Sequence, residues 1–152
     1  MSRGSRHPAR KPALATESYE LSEQVGFILR QAMQRHVSIF GEIMGEELTP
    51  TQWAVLSQLY RDGGSSQNLL GRQTAMDAAT IKGVVDRLIK RNLVQTTPDP
   101  EDSRRVIVEL TDSGASYASE LLPKAGTVTK VTLSPLTTRQ RATLIALLKQ
   151  LR

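Results

Sequence analysis

Between Ser65 and Arg105 the chain carries a set of side chains suited to holding a nucleic acid. Lys82 can bond to a base edge or to a phosphate, and its alternative is an ordinary solvated lysine. Ala79 and Thr80 offer contacts to a thymine methyl or a phosphate. Gly83 has no side chain and permits close backbone approach, or is simply tolerated at a cost of about 1 kcal/mol relative to Ala. Gln67 and Arg72 add phosphate donors, Arg87 is a further outward-facing candidate for DNA contact, and Ser65 and Ser66 present amide groups at a helix start. Arg104 and Arg105 make a basic pair between two strand-like runs, with a solvated side chain as the alternative for Arg105. No Asn, Gln or Arg suited to base reading stands at 78–83, so DNA shape and the basic pair are expected to matter.

These side chains need elements to position them. SSQNLLGRQTAM reads as a short helix capped by Ser65 or Ser66, running to about Arg72 with Leu69 and Leu70 facing inward. DAATIKGVVDRLIKRN reads as a second helix capped by Asp77 and ending near Arg91. Its inner face is Ile81, Val84, Val85, Leu88 and Ile89, and Asn92 ends it in the left-handed conformation. LVQTT and RRVIVELT read as two strands around the turn PDPED. A helix pair followed by a hairpin with a basic tip is a winged helix, in which a helix enters the major groove and the hairpin reaches the minor groove or adjacent phosphates.

Other helices flank this unit. From Glu17 to Gly45, Val25, Ile28, Leu29, Ala32, Met33, Val37, Phe40, Ile43 and Met44 recur three or four apart, which predicts one long amphipathic helix. A compact module of this size cannot cover it, so its stripe is expected to pack on other helices, including those of a second subunit. LTPTQW opens the next helix, capped by Thr49 or Thr51, with Trp53, Val55, Leu56 and Leu59 inside and RDGG as the stop. Thr111 or Asp112 caps a further helix with Tyr117, Leu121 and Leu122 inward. Pro123 is expected to kink or interrupt it before it continues to about Leu133. TTRQRATLIALLKQLR is a last amphipathic helix capped by Thr137 or Thr138. The fold class is mainly α with a small β-wing.

The 152 residues suit one domain and carry a net charge of +5. Residues 61–111 hold eight basic and seven acidic residues, so DNA affinity must come from placement of charge rather than its sum. Residues 1–16 read as a disordered basic tail, or as an arm touching DNA. No apolar run is long enough for a membrane span or a signal peptide, and a cytoplasmic location is the default. With no Cys and only His7 and His36, disulfides, thiolate chemistry and metal centres are not expected, nor is any cofactor. No Ser/His/Asp set, phosphate-binding Gly loop or paired carboxylates suggests an enzyme. A winged helix used for protein contacts, and a ligand-independent DNA-binding protein, are the alternatives to a ligand-controlled regulator.

LTPTQWAVL (48–56), TAMDAATIKGVVDRLIKRNLV (74–94) and DSRRVIVELTDSG (102–114) resemble the MarR family of winged-helix transcription regulators. The last carries the wing pattern Asp-x-Arg followed by Leu-Thr-x-x-Gly. The resemblance covers about Glu20 to the C-terminus and makes 17–152 one domain. Residues 17–45 and 113–152 would supply interlocking dimerisation helices, and 48–112 the DNA-binding lobe. It implies a homodimer on a pseudo-palindromic double-stranded operator, usually a repressor, often released by a small aromatic acid. It makes Arg104 the wing arginine that enters the minor groove, and Asp102 its brace, with Arg87 or Arg104 as the braced group.

GFILRQAMQRHVSIF and QTAMDAATIKGVV are similar to a subgroup tied to the catabolism of aromatic acids, benzoate-like or hydroxynicotinate-like, with 6-hydroxynicotinate the first effector to consider. His36 lies on the apolar stripe of the first helix, either as an interface histidine or as a ligand contact, since imidazole bonds carboxylates and titrates near neutrality. With Phe40, Trp53 and Tyr117 it would line a flat slot for an aromatic acid. Arg30 or Arg35 would neutralise the acid, although both point away from His36.

Overall fold

The computed structural model describes residues 19–152. The expectations for the tail and for a helix start at Glu17 lie outside those residues. A 3-10 turn, Leu21–Glu23, precedes α1 (Val25–Met44). The predicted single helix is thus divided at Gln24, whose backbone is extended at φ −81° and ψ 127°. α2 (Pro50–Asp62) follows a capping box in which Thr49 accepts from the amide of Gln52 and the Gln52 side chain accepts from the amide of Thr49.

β1 (Ser65–Ser66), α3 (Gln67–Gln73), α4 (Ala78–Lys90), β2 (Val94–Pro98) and β3 (Val106–Leu110) form the winged helix. The sheet has three antiparallel strands in the order β1-β3-β2, not two. The extra strand is only Ser65 and Ser66, paired with Val108 and Ile107. Ser66 also caps α3 by accepting from the amide of Leu69. Two residues cannot show a period of two, so the sequence reads as a cap alone. α5 (Asp112–Thr132) and α6 (Thr138–Gln150) complete the chain, capped by Thr111 and Thr137.

One core joins these parts. Ile39, Phe40 and Met44 of α1 meet Val55, Leu56 and Leu59 of α2, Leu70, the inner face of α4, Val94, Val108, Leu121 and Val128. Three residues assigned inward by periodicity are exposed: Leu69, Ile89 and Leu122. Leu69 gives way to Leu70 because a seven-residue helix seats one such position on the core. Ile89 and Leu122 each lie at the edge of their helix's apolar arc, beside the buried Leu88 and Leu121. α5 also runs through Pro123 without interruption. Pro123 and Ser119 both lie on the exposed side of α5. The Ser119 carbonyl that loses its amide partner therefore faces solvent, which lowers the cost of the proline.

Among the described residues nothing covers the first half of the α1 stripe: Val25, Ile28, Leu29, Met33 and Val37 are exposed. α6 has no buried residue, and Ile145, Leu147 and Leu148 are exposed on it. No helix among the described residues is long and apolar enough to cross a membrane.

The turn between α3 and α4 contains a non-glycine residue with positive φ, Ala75 at 55°. It is held by the Met76 amide donating to Gly71 O at 2.8 Å. Left-handed backbone costs an L-residue about 1–2 kcal/mol. Ala75→Gly removes that strain but adds unfolded-state entropy worth about 0.4–1 kcal/mol. The variant is expected to be more stable by about 0.5–1 kcal/mol in urea denaturation, and a loss of stability would contradict the strain.

Candidate nucleic-acid interface

α4 is set in place by its cap and its inner face. Asp77 accepts from the Thr80 amide at 2.7 Å, and this bond holds its carboxyl below the usual carboxylate range. Ile81, Val84, Val85 and Leu88 are buried. Ala79, Thr80, Lys82 and Arg87 are therefore exposed as expected, while Gly83 is half-buried. Lys82 is not a free cation: its Nζ stands 2.7 Å from Asp86 Oδ2, one turn on. Sequence reading missed this partner, although Lys and Asp four apart on a helix are a visible signal.

The wing is built from β2, β3 and their connection. Asp102 Oδ1 accepts from the Arg104 amide at 3.0 Å, and the Arg105 amide donates to Asp102 O at 2.9 Å. The Asp102 carboxylate also stands 3.7 Å from Arg104 Nε and 3.4 Å from Arg105 Nε. Its charged partners are Arg104 and Arg105. Arg87, the other expected partner, is not among them, because its side chain runs along α4 toward Gly83. The Arg104 side chain is 93% exposed, available to an external ligand.

Between the wing and α3 lies an open groove of about 340 Å³, lined by Ser66, Gln67, Asn68, Arg72, Arg104, Arg105 and Val106. It gathers four of the expected DNA-binding residues (Gln67, Arg72, Arg104, Arg105) and adds Asn68, which sequence reading passed over. Three guanidinium groups, amide side chains and a helix start share one polar trough, a set of donors whose chemistry suits phosphate oxygens.

The proposed aromatic-acid residues are placed less uniformly. Phe40 is buried in the core, and Trp53 and Tyr117 pack part-buried against it. His36 is half-buried, with Nδ1 3.0 Å from Thr132 Oγ1 and its ring centroid 6.5 Å from that of Phe40. The Arg91 guanidinium lies 5.7 Å over the Tyr117 ring. Arg35 donates to Val131 O at 3.2 Å, so its charge is directed to the α5 backbone. Arg30 lines an apolar groove of about 500 Å³ with Met33, Gln34, Val37 and Ser38.

Comparison with known proteins agrees with this architecture. Residues 47–105 match the model of the MarR family. The transcriptional repressor NicR of Pseudomonas putida is 42% identical over 134 residues, covering 88% of this chain and 85% of NicR. A probable transcriptional regulator from Pseudomonas aeruginosa superimposes with a TM-score of 0.83 at 49% identity, covering 88% of this chain and 100% of that one. Bordetella bronchiseptica BpsR, whose DNA binding is regulated by 6-hydroxynicotinic acid, gives a TM-score of 0.83 at 39% identity, covering 88% of this chain and 96% of its own. Wing, α4, basic groove and these likenesses converge: the chain belongs to the MarR family of winged-helix transcription regulators and is a DNA-binding protein, not an enzyme.

Proposed function

We propose that this chain is a homodimeric repressor of a pseudo-palindromic operator, released by a small aromatic acid, with 6-hydroxynicotinate the first candidate. The basic groove between wing and α3 carries the DNA part of this reading. The uncovered apolar faces of α1 and α6 support a second copy as the partner, because faces of that extent seldom stay exposed on a monomer. The likeness to NicR and BpsR supports the effector class. His36 and Phe40 of α1, Trp53 of α2 and Tyr117 of α5 are the residues proposed to face the acid. Release requires the acid to bind the DNA-incompetent spacing of the two lobes more tightly than the competent one.

Fluorescence polarisation tests the reading, using the duplex upstream of the chain's own coding sequence and a panel of aromatic acids. Salt-sensitive binding by two chains, on half-sites about 10 bp apart, is expected, with release by 6-hydroxynicotinate. One chain on an asymmetric site would overturn the dimer. Binding that no acid disturbs would overturn the effector class and leave DNA binding intact.

A further inference from the structure

We propose that Arg87 is the base-reading residue of this chain and that Gly83 is the slot through which it reaches a guanine. The inference rests on the reading of α4 as the helix that enters the major groove. At about 100° per residue, Ala79, Gly83, Asp86 and Lys90 fall on the side of α4 opposite Ile81, Val84, Val85 and Leu88. That outermost line begins with two residues that have almost no side chain, so its first two positions offer no hydrogen-bonding group to a base, and Thr80 and Lys82 flank it on either side.

The Arg87 side chain fills the gap. A Cβ built on Gly83 would meet Arg87 Nη1 at 3.6 Å and Nη2 at 3.8 Å, with nothing else within 4 Å outside the chain neighbours and the helix backbone. Gly83 is half-buried on a face turned away from the core, and the Arg87 guanidinium lies beside it. This follows the direction of helical side chains, which lean toward the N-terminus over the preceding turn. Arg87 starts outside the segment where base readers are sought, yet its guanidinium lies one turn earlier, on the groove-facing line.

Charge pairing selects Arg87 over its neighbour. Lys82 is held by Asp86 at 2.7 Å, and Asp102 takes Arg104 and Arg105. Among the described residues the Arg87 guanidinium makes no ion pair. A free, planar fork matches the O6 and N7 acceptors of guanine, whereas an ammonium already bonded to a carboxylate does not.

The test is selection from a duplex pool with randomised base pairs, using wild type, Arg87→Ala, Arg87→Lys and Gly83→Leu, followed by polarisation titrations on the wild-type consensus. Arg87→Ala is expected to lose about ten- to a hundredfold in affinity and to lose preference at one G·C pair in each half-site while keeping the others. Arg87→Lys keeps the charge and the salt dependence but not that preference. Gly83→Leu fills the slot and loses the same preference with Arg87 intact. If Arg87→Ala binds uniformly more weakly with an unchanged consensus, Arg87 is a phosphate contact and the inference is overturned. If wild type selects no consensus at all, base reading by α4 fails as a whole, a result distinct from an unchanged consensus in the variant.

Discussion

Arg104→Ala is expected to weaken operator binding by about ten- to a hundredfold at moderate salt, and to reduce the slope of log affinity against log salt by about one. The basis is its position. The side chain is 93% exposed, so it contributes little to folding. Its backbone, by contrast, is fixed by the amide bond to Asp102 Oδ1 at 3.0 Å. The guanidinium is thus delivered from an ordered tip rather than a loose loop, and less entropy is lost when it enters a groove. The ion pair with Asp102, at 3.7 Å and near the surface, is weak enough to be exchanged for DNA. Insertion is favoured where A·T-rich sequence narrows the minor groove and deepens its negative potential. Replacing A·T pairs flanking the half-site by G·C should therefore weaken wild type more than the variant. An unchanged affinity and salt slope in Arg104→Ala, with an unchanged melting temperature, would remove the wing from the interface.

Much of this site is legible in the sequence because it is written in local chemistry. Thr49, Ser66, Asp77, Thr111 and Thr137 each cap the helix they precede. Asn92 takes φ 54° where a left-handed residue is needed. Basic residues that flank a hairpin turn come together because the hairpin has no other way to close. What is not legible depends on tertiary choice. β1 is invisible because two serines acquire strand geometry only from β3 beside them. The Asp102 partner is decided by wing geometry, which gives it Arg104 and Arg105, while the rotamer of Arg87 carries that group elsewhere. The exposure of Leu69 and Leu122 depends on which neighbour reaches the core first. The aromatic-acid residues are the least legible, since a part-buried His, Trp or Tyr serves a core and a pocket equally well. The hydrogen bond between His36 and Thr132 and the Arg91 guanidinium over Tyr117 give two of them defined partners.

The glycine of the wing pattern is legible as a motif, but its reason is structural, and it predicts the largest loss of stability. Gly114 is buried in the first turn of α5. A Cβ there would overlap the carbonyl of Leu93, a backbone atom that no rotamer change can move aside. That carbonyl accepts from the Thr111 amide at 3.2 Å, while Thr111 Oγ1 donates to Asn92 O at 2.7 Å and accepts from the Gly114 amide at 3.0 Å. The end of α4, the start of β2 and the start of α5 are therefore tied at one point. A methyl group at 114 must open all three bonds or shift α5. Gly114→Ala is expected to cost about 3 kcal/mol or more, a large share of the roughly 5–15 kcal/mol that holds a domain together. The helix propensity of Ala returns only about 1 kcal/mol. Urea denaturation followed by Trp53, the single tryptophan, should show a lower midpoint with the same slope. Gly126→Ala in the same helix is the control. A Cβ there meets nothing within 4 Å, and the propensity gain of up to about 1 kcal/mol should appear without penalty. If both variants gained stability alike, the close approach of α5 to Leu93 would be refuted. If only Gly114→Ala falls, the contact that sets the wing against the α5 helix is the one that tolerates no side chain.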